Sequence, residues 1–193
     1  MKDITVTRQQ QTRRAVLRTA VASVGLIGAP GILRAARDVQ RRNISALRTH
    51  DWRDHFEILD KGIIIADTDS KMLLHWTAAG EMRVYPTSVP LTDELTKRGY
   101  TEVVEKRKNP GWAPTPAMRE RNPEWPAYVE GGDPTNPLGT RALYLSWTYY
   151  RIHGTQDTRK IGRKSSNGCI GLYNGQIEEV YDRAPLGTQI KLI

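Results

Sequence analysis

Seven of the chain's 11 prolines fall between Lys108 and Pro137: Pro110, Pro114, Pro116, Pro123, Pro126, Pro134 and Pro137. Proline fixes φ and lacks a backbone N–H, so this density forbids regular helix and most ladder pairing there. The fold must therefore carry a long central loop. The pieces on either side are too small to be separate domains, which disfavours a linker between domains. A long loop within one domain is usually functional or disordered. The reading taken is an ordered loop packed over a sheet near the functional site, as a lid. Trp112 and Trp125 within it either line a cleft or anchor the loop.

The flanks read as strands. Gly62 to Ala66 is a β-branched run, and Lys71 to Thr77 and Glu81 to Thr87 are further extended runs. Turns at Asp67 to Ser70 and Ala78 to Gly80 make these three an antiparallel meander. Tyr100 to Lys106 is another strand. After the loop, Arg141 to Trp147 alternates, Tyr149 leads into His153, and Cys169 to Leu172 is short and extended. Asn174 is the expected N-cap of a short helix to about Arg183, with Ile177, Val180 and Tyr181 on one face and Pro185 as its stop. Thr188 to Ile193 closes the sheet. The fold class expected is mainly β with little helix.

The formal charge of +8 is unevenly placed. Residues 1–42 hold nine Lys/Arg against two Asp/Glu, a net of +7, and residues 43–193 hold twenty against nineteen, a net of +1. A nearly neutral body lacks the basic stripe of a nucleic-acid-binding domain. One cysteine excludes an internal disulfide framework, and a body of about 150 residues can bury a sufficient core without one. The body holds no apolar run long enough to span a membrane. With one Cys and no His-x-x-x-His pair there is no zinc spacing, so no metal is expected. His50, His55 and His75 read as surface or packing residues.

Thr12-Arg13-Arg14-Ala15-Val16-Leu17-Arg18 matches a twin-arginine export signal, followed by a mild apolar stretch from Thr19 to Leu33. A basic amphipathic helix on a membrane, or a disordered arm, is the plainer reading of the same residues. The division expected is a signal or anchor at 1–36, a linker at 37–54 and a domain at 55–193, placed in the periplasm or at the outer face of the inner membrane.

The chemistry concentrates between His153 and Leu172. Cys169, the only cysteine, follows His153 by 16 residues, and each is set against glycines. A thiol is a strong nucleophile as thiolate, and an imidazole can take its proton. Glycines permit tight turns that leave amide N–H groups open to a reacting carbonyl oxygen. A lone Cys is equally a small buried hydrophobe, so the spacing alone names a candidate only.

The string itself closely resembles the active-site motif of the L,D-transpeptidase (YkuD) catalytic domain. That family pattern is His-Gly-Thr, a gap, then Ser-x-Gly-Cys-hydrophobic-Arg. The match is His153-Gly154-Thr155 with Ser166-Asn167-Gly168-Cys169-Ile170, supported by Pro110 to Pro116, Asn136 to Leu145 and Gly187 to Ile190. Two positions depart: Asn167 stands where many members have His, and Gly171 where most have Arg. The second removes a guanidinium. The resemblance covers about Gly62 to Ile193. It implies a β-sandwich or barrel with one or two short helices, Cys169 as nucleophile, His153 as base and Ser166 as orienter of the imidazole or of its own loop. Gly168, Asn167, Gly154 and Thr155 are implied as oxyanion- and substrate-binding residues.

The implied donor is a peptidoglycan tetrapeptide stem. Cys169 would form a thioester with release of D-Ala, and an amine would take the acyl group, giving a 3→3 cross-link or an attached envelope protein. No cofactor is implied, and acylation by carbapenems is. Two alternatives stand beside this: water as acceptor, making an L,D-carboxypeptidase, and an inactive peptidoglycan-binding module marked by Asn167 and Gly171. Arg163 and Lys164 either meet stem carboxylates or are solvated. Papain-like peptidases, with Cys before His, are disfavoured by chain order.

Overall fold

The computed structural model describes residues 50–193. The twin-arginine segment and all of the linker before residue 50 lie outside the described residues. Ten strands and two helices follow: β1 (Ile63–Asp67), β2 (Met72–Trp76), β3 (Met82–Pro86), β4 (Val89–Pro90), β5 (Gly99–Lys108), α1 (Pro116–Arg121), β6 (Arg141–Leu145), β7 (Arg151–His153), β8 (Lys164–Ser166), β9 (Ile170–Gly171), α2 (Asn174–Arg183) and β10 (Gln189–Leu192). Eight of the strands form one sheet in the order β3-β2-β1-β10-β5-β6-β7-β9, and β4 pairs with β8 apart from it. The mainly β class is as expected.

The first three strands are the antiparallel meander read from sequence, with Ile64 opposite His75 and Leu74 opposite Val84. β10 does not close an edge. It lies in the middle, parallel to β1 (Ile64 opposite Ile190) and antiparallel to β5 (Ile190 opposite Thr101). The chain's last strand thus joins the meander to the half of the sheet that carries the motif.

Strand alternation sends every second residue to one face. Ile64, Leu73, Tyr85, Val103, Leu143, Ile152, Ile170 and Ile190 share one buried cluster with Ile177 and Val180 of α2. Residues from nearly every strand meet one short helix, so the sheet curls around it. Burying each large aliphatic side chain fully contributes about 1.5–3 kcal/mol. β1 is covered on both faces: Ile63 and Ile65 pack with Met72, Leu74 and Trp76, and Trp52, Phe56 and Leu59 lie over them. His50 also bonds the buried Asp67 carboxylate at 3.0 Å. The described end of the segment read as linker, His50 to Asp54, therefore packs on the sheet.

Three local readings change. The proline-rich loop holds a helix after all, because Pro116 occupies the first helical turn, where its missing N–H costs nothing, and Thr115 caps it. The short strands β4 and β8 were not anticipated. Asn174 is inside α2, whose N-cap is Tyr173 with no side-chain cap bond; the Asn174 side chain is used elsewhere.

Candidate active site

Two short parallel strands bring the motif together. Ile152 of β7 stands opposite Ile170 of β9, and His153 opposite Gly171. Both isoleucines are buried in the core. Period-two alternation then turns Arg151, His153 and Cys169 to the other face, where all three line one pocket. The structure thus brings Cys169 and His153 to one pocket.

The imidazole is held from behind. Its Nδ1–H donates to the Gly154 carbonyl at 2.5 Å, which leaves the Nε2 lone pair as the proton acceptor. A Cβ on Gly154 would come within 2.3 Å of Asn174 Oδ1. That same oxygen accepts the Thr140 N–H at 3.2 Å. Asn174 therefore braces the catalytic loop from the helix beneath it.

The nucleophile sits on a tight turn. Gly168 has φ +126°, a conformation that L side chains rarely adopt. The Ser166 hydroxyl donates to the Cys169 carbonyl at 2.6 Å and accepts the Gly168 N–H at 3.4 Å. Of the two roles foreseen for Ser166, this is the one within its own loop; the orienter of the imidazole is the Gly154 carbonyl. Gly168 N–H is engaged by Ser166, which makes the neighbouring Cys169 N–H the better placed of the two to meet an oxyanion. The Cys169 thiol donates to the Tyr149 carbonyl at 3.4 Å, and Tyr149 itself holds φ +68°. Thr155 is buried, and its hydroxyl accepts the Asp157 N–H at 3.2 Å, bracing its own turn.

The two departures from the family pattern have physical counterparts. Asn167 Oδ1 accepts a hydrogen bond from Arg121 Nη2 of α1 at 2.8 Å, tying the proline-rich loop to the nucleophile turn. Gly171 is tight for a side chain: a Cβ there would lie 2.3 Å from Ser88 Oγ, which would have to turn away, and Ser88 bridges Gly171 backbone to backbone.

The proline-rich loop forms one wall of the pocket. Its limbs are joined by a Trp112–Val129 bridge. The buried Asn136 donates to the Pro110 and Glu130 carbonyls, both at 2.8 Å, and accepts the Leu138 N–H at 2.8 Å. Trp112 and Trp125 meet edge to face at 5.2 Å and both line the pocket. Trp112 is buried and so also anchors the loop, whereas Trp125 stays partly open.

Burial pushes the Cys169 thiol up, and the Arg151 charge opposes it. Burial, then the Arg151 and Lys160 cations, lower His153 to about 4 against the raising effect of the Gly154 carbonyl. At neutral pH the pair therefore rests as thiol and neutral imidazole, with the proton moving during attack. Arg163 and Lys164 are exposed, the solvated reading, while Lys160 and Arg151 reach the pocket. Sequence reasoning missed Arg151, although its place two residues before His153 on a strand puts it on the same face. No local signal marked the bracing roles of Asn174, Asn136 or Arg121. Among the described residues no cluster of His, Cys, Asp and Glu suits a metal ion.

The model of the L,D-transpeptidase catalytic domain (YkuD) matches residues 61–192. A Fuscovulum blasticum protein named as an L,D-transpeptidase in the ATP synthase subunits region is 49% identical over 185 residues, 94% of this chain and 97% of that protein. The Escherichia coli protein named L,D-transpeptidase ErfK/SrfK is 33% identical over 138 residues, 69% of this chain and 44% of its own length. Among solved structures, an L,D-transpeptidase from Mycobacterium smegmatis has a TM-score of 0.54 at 20% identity, covering 69% of this chain and 58% of that one. LdtMt1 in complex with imipenem has a TM-score of 0.53 at 16% identity, covering 69% and 59%. The chain thus spans a little over half the length of these solved chains, and they share its fold. With the family model spanning the sheet and the motif together, the chain belongs to the YkuD family of L,D-transpeptidase catalytic domains.

Proposed function

We propose that the protein is a peptidoglycan L,D-transpeptidase working through Cys169 and His153. The observation that carries this is the shared pocket of the two side chains, with the imidazole fixed through Nδ1 so that Nε2 is the base. His153 Nε2 takes the thiol proton as Sγ attacks the carbonyl that joins the L-centre of diaminopimelate to D-Ala. The Cys169 N–H binds the oxyanion. The imidazolium returns the proton to the leaving D-Ala amine, and a thioester remains. An entering amine loses a proton to His153, displaces the thiolate and gives a new amide, and the thiol regains its proton. None of these steps draws on a metal or cofactor.

The aromatic wall of Trp112 and Trp125 supports an amine rather than water as acceptor, because it shields the thioester from solvent. That amine belongs to another stem, giving a 3→3 cross-link, or to an envelope protein. LdtMt1 was solved with imipenem, which supports acylation of Cys169 by carbapenems. The twin-arginine pattern at Thr12 to Arg18 supports export to the periplasm and work in cell-wall biogenesis.

The test is intact-mass and product analysis of the full chain with a diaminopimelate-containing disaccharide tetrapeptide. D-Ala release with a cross-linked dimer, both lost in Cys169→Ala, is the expected result. Free tripeptide alone would reassign the protein as an L,D-carboxypeptidase. Binding to sacculi without turnover would reduce it to a binding module.

A further inference from the structure

The pocket around Cys169 carries two cations, Arg151 and Lys160, and no Asp or Glu among the described residues that line it. The two are held differently. Lys160 ends a 3-10 turn (Thr158–Lys160) and reaches in on a flexible stem. Arg151 starts β7, opposite Tyr144 of β6, and its guanidinium lies over the Tyr144 ring at 4.7 Å. Arg107, paired with Glu105, lies over the same ring at 4.9 Å. Stacking fixes the plane of the fork and leaves its N–H edge for a ligand. Arg151 Nε is buried without a hydrogen-bond partner among the described residues, and Nη1 reaches the Tyr149 carbonyl at a long 3.5 Å.

The Tyr149 carbonyl that Nη1 meets at 3.5 Å also accepts the Cys169 thiol at 3.4 Å, so the guanidinium and the sulfur flank one oxygen. During attack the scissile carbonyl carbon sits about 3–3.5 Å from the sulfur. If the donor ends one residue past the scissile bond, its terminal carboxylate carbon is three bonds away, at most about 4.3 Å. A guanidinium beside the sulfur reaches that carboxylate. A donor one residue longer carries its terminus about 3.5 Å further off and puts an uncharged amide in its place.

We infer that Arg151 selects the acyl donor by a two-pronged hydrogen bond to the carboxylate of the departing amino acid, favouring stems that end one residue past the scissile bond. The inference rests on the acyl-transfer reading above and gives that site its substrate end. Removing the fork leaves the carboxylate without its partner, worth about tenfold to a hundredfold in affinity.

The test uses the full chain carrying Cys169→Ala, which cannot be acylated. It is titrated by calorimetry with a disaccharide tetrapeptide and with the same compound bearing a C-terminal carboxamide. The acid is expected to bind about tenfold or more tightly than the amide. Adding Arg151→Gln should bring the two affinities together, and Arg151→Lys, which keeps the charge without the fork, should fall between. Lys160→Gln, a matched loss of charge, should keep the ratio. The Arg151 side chain is half-buried on the outer face, and unfolding midpoints identify any variant that loses binding through misfolding; the Lys variant then carries the comparison. Equal binding of acid and amide by the Cys169→Ala protein overturns the inference. So does a ratio that survives Arg151→Gln, or one that Lys160→Gln abolishes equally. D-Ala release by the wild-type chain is read in parallel. If release is absent while the binding ratio still follows Arg151, acyl transfer falls and the carboxylate site stands.

Discussion

The resting state of Cys169 and His153 decides how the enzyme meets pH. Burial raises the thiol and, with Arg151 and Lys160, lowers the imidazole to about 4. A general base works while unprotonated, and His153 is unprotonated above about 4. The kcat/KM for D-Ala release is therefore expected to stay level as pH falls from 7 to about 5, then drop about tenfold per unit below 4. An acid limb at 6.5, the value of an unperturbed imidazole, would show that the pocket opens to water before substrate binds. Gly171 supplies a second test at this scale. Gly171→Arg restores the residue common in the family, yet its Cβ would meet Ser88 Oγ at 2.3 Å. Ser88 is buried and its backbone is bridged to Gly171, so its hydroxyl must turn into packed surroundings to make room. The substitution is expected to destabilise the fold by about 1–3 kcal/mol, with Ser88→Gly recovering part of it in a double-mutant cycle. A Gly171→Arg protein that melts with the wild type would remove this account.

The proline-rich segment, residues 109–137, is ordered by one side chain more than by its prolines. Asn136 satisfies two carbonyls and one N–H that no regular element could pair. Asn136→Ala strands all three in a buried site, and the expected loss is about 3 kcal/mol. Hydrogen exchange should quicken in 109–137 while the central strands keep their protection; uniform exchange across the domain would mean that the segment and sheet unfold together. The existence of this element was legible, because proline density is a local property. Its helix was hidden by the same density: Thr115-Pro116 is a start signal when read singly and a breaker when counted with its neighbours. Apart from the short β4 and β8, the strands were legible for the same local reason, as alternation and turn residues lie within a few positions of each other. The motif also named Cys169 and His153, which the structure places in one pocket. Arg151 was within reach of the same alternation, whereas Asn174 and Arg121 act on groups 34 and 46 residues away, and spacing carries no trace of that.

At the scale of the molecule, the missing information was long-range pairing. Nothing in Gln189 to Leu192 announces that it will lie between β1 and β5, since its partners are chosen by the closing of the whole sheet around α2. That closure also buries His75. It sits on β2 opposite Ile64 and Arg83, beside α2, with both ring nitrogens buried and unpaired among the described residues. The Glu179–Arg83 ion pair joins α2 to β3 nearby, and Glu179 also pairs with Arg183 one turn along α2. Burial, then the Arg183 charge, lower His75 from 6.5 to about 4, with Glu179 opposing. The sign follows from linkage: the unfolded chain binds the proton more tightly, so stability is full above 6.5, falls as pH drops from 6.5 towards 4, and levels off below. A shift of that size is worth on the order of 3 kcal/mol. His75→Leu fills similar space without a titrating group. Between pH 7 and 4.5 its unfolding free energy in urea should fall less than that of the wild type, and the wild type should keep its steeper slope with Cys169→Ala, which leaves His75 untouched. Parallel slopes for wild type and His75→Leu would place the acid sensitivity elsewhere, first at His153, whose imidazole is lowered to about 4 in the same way.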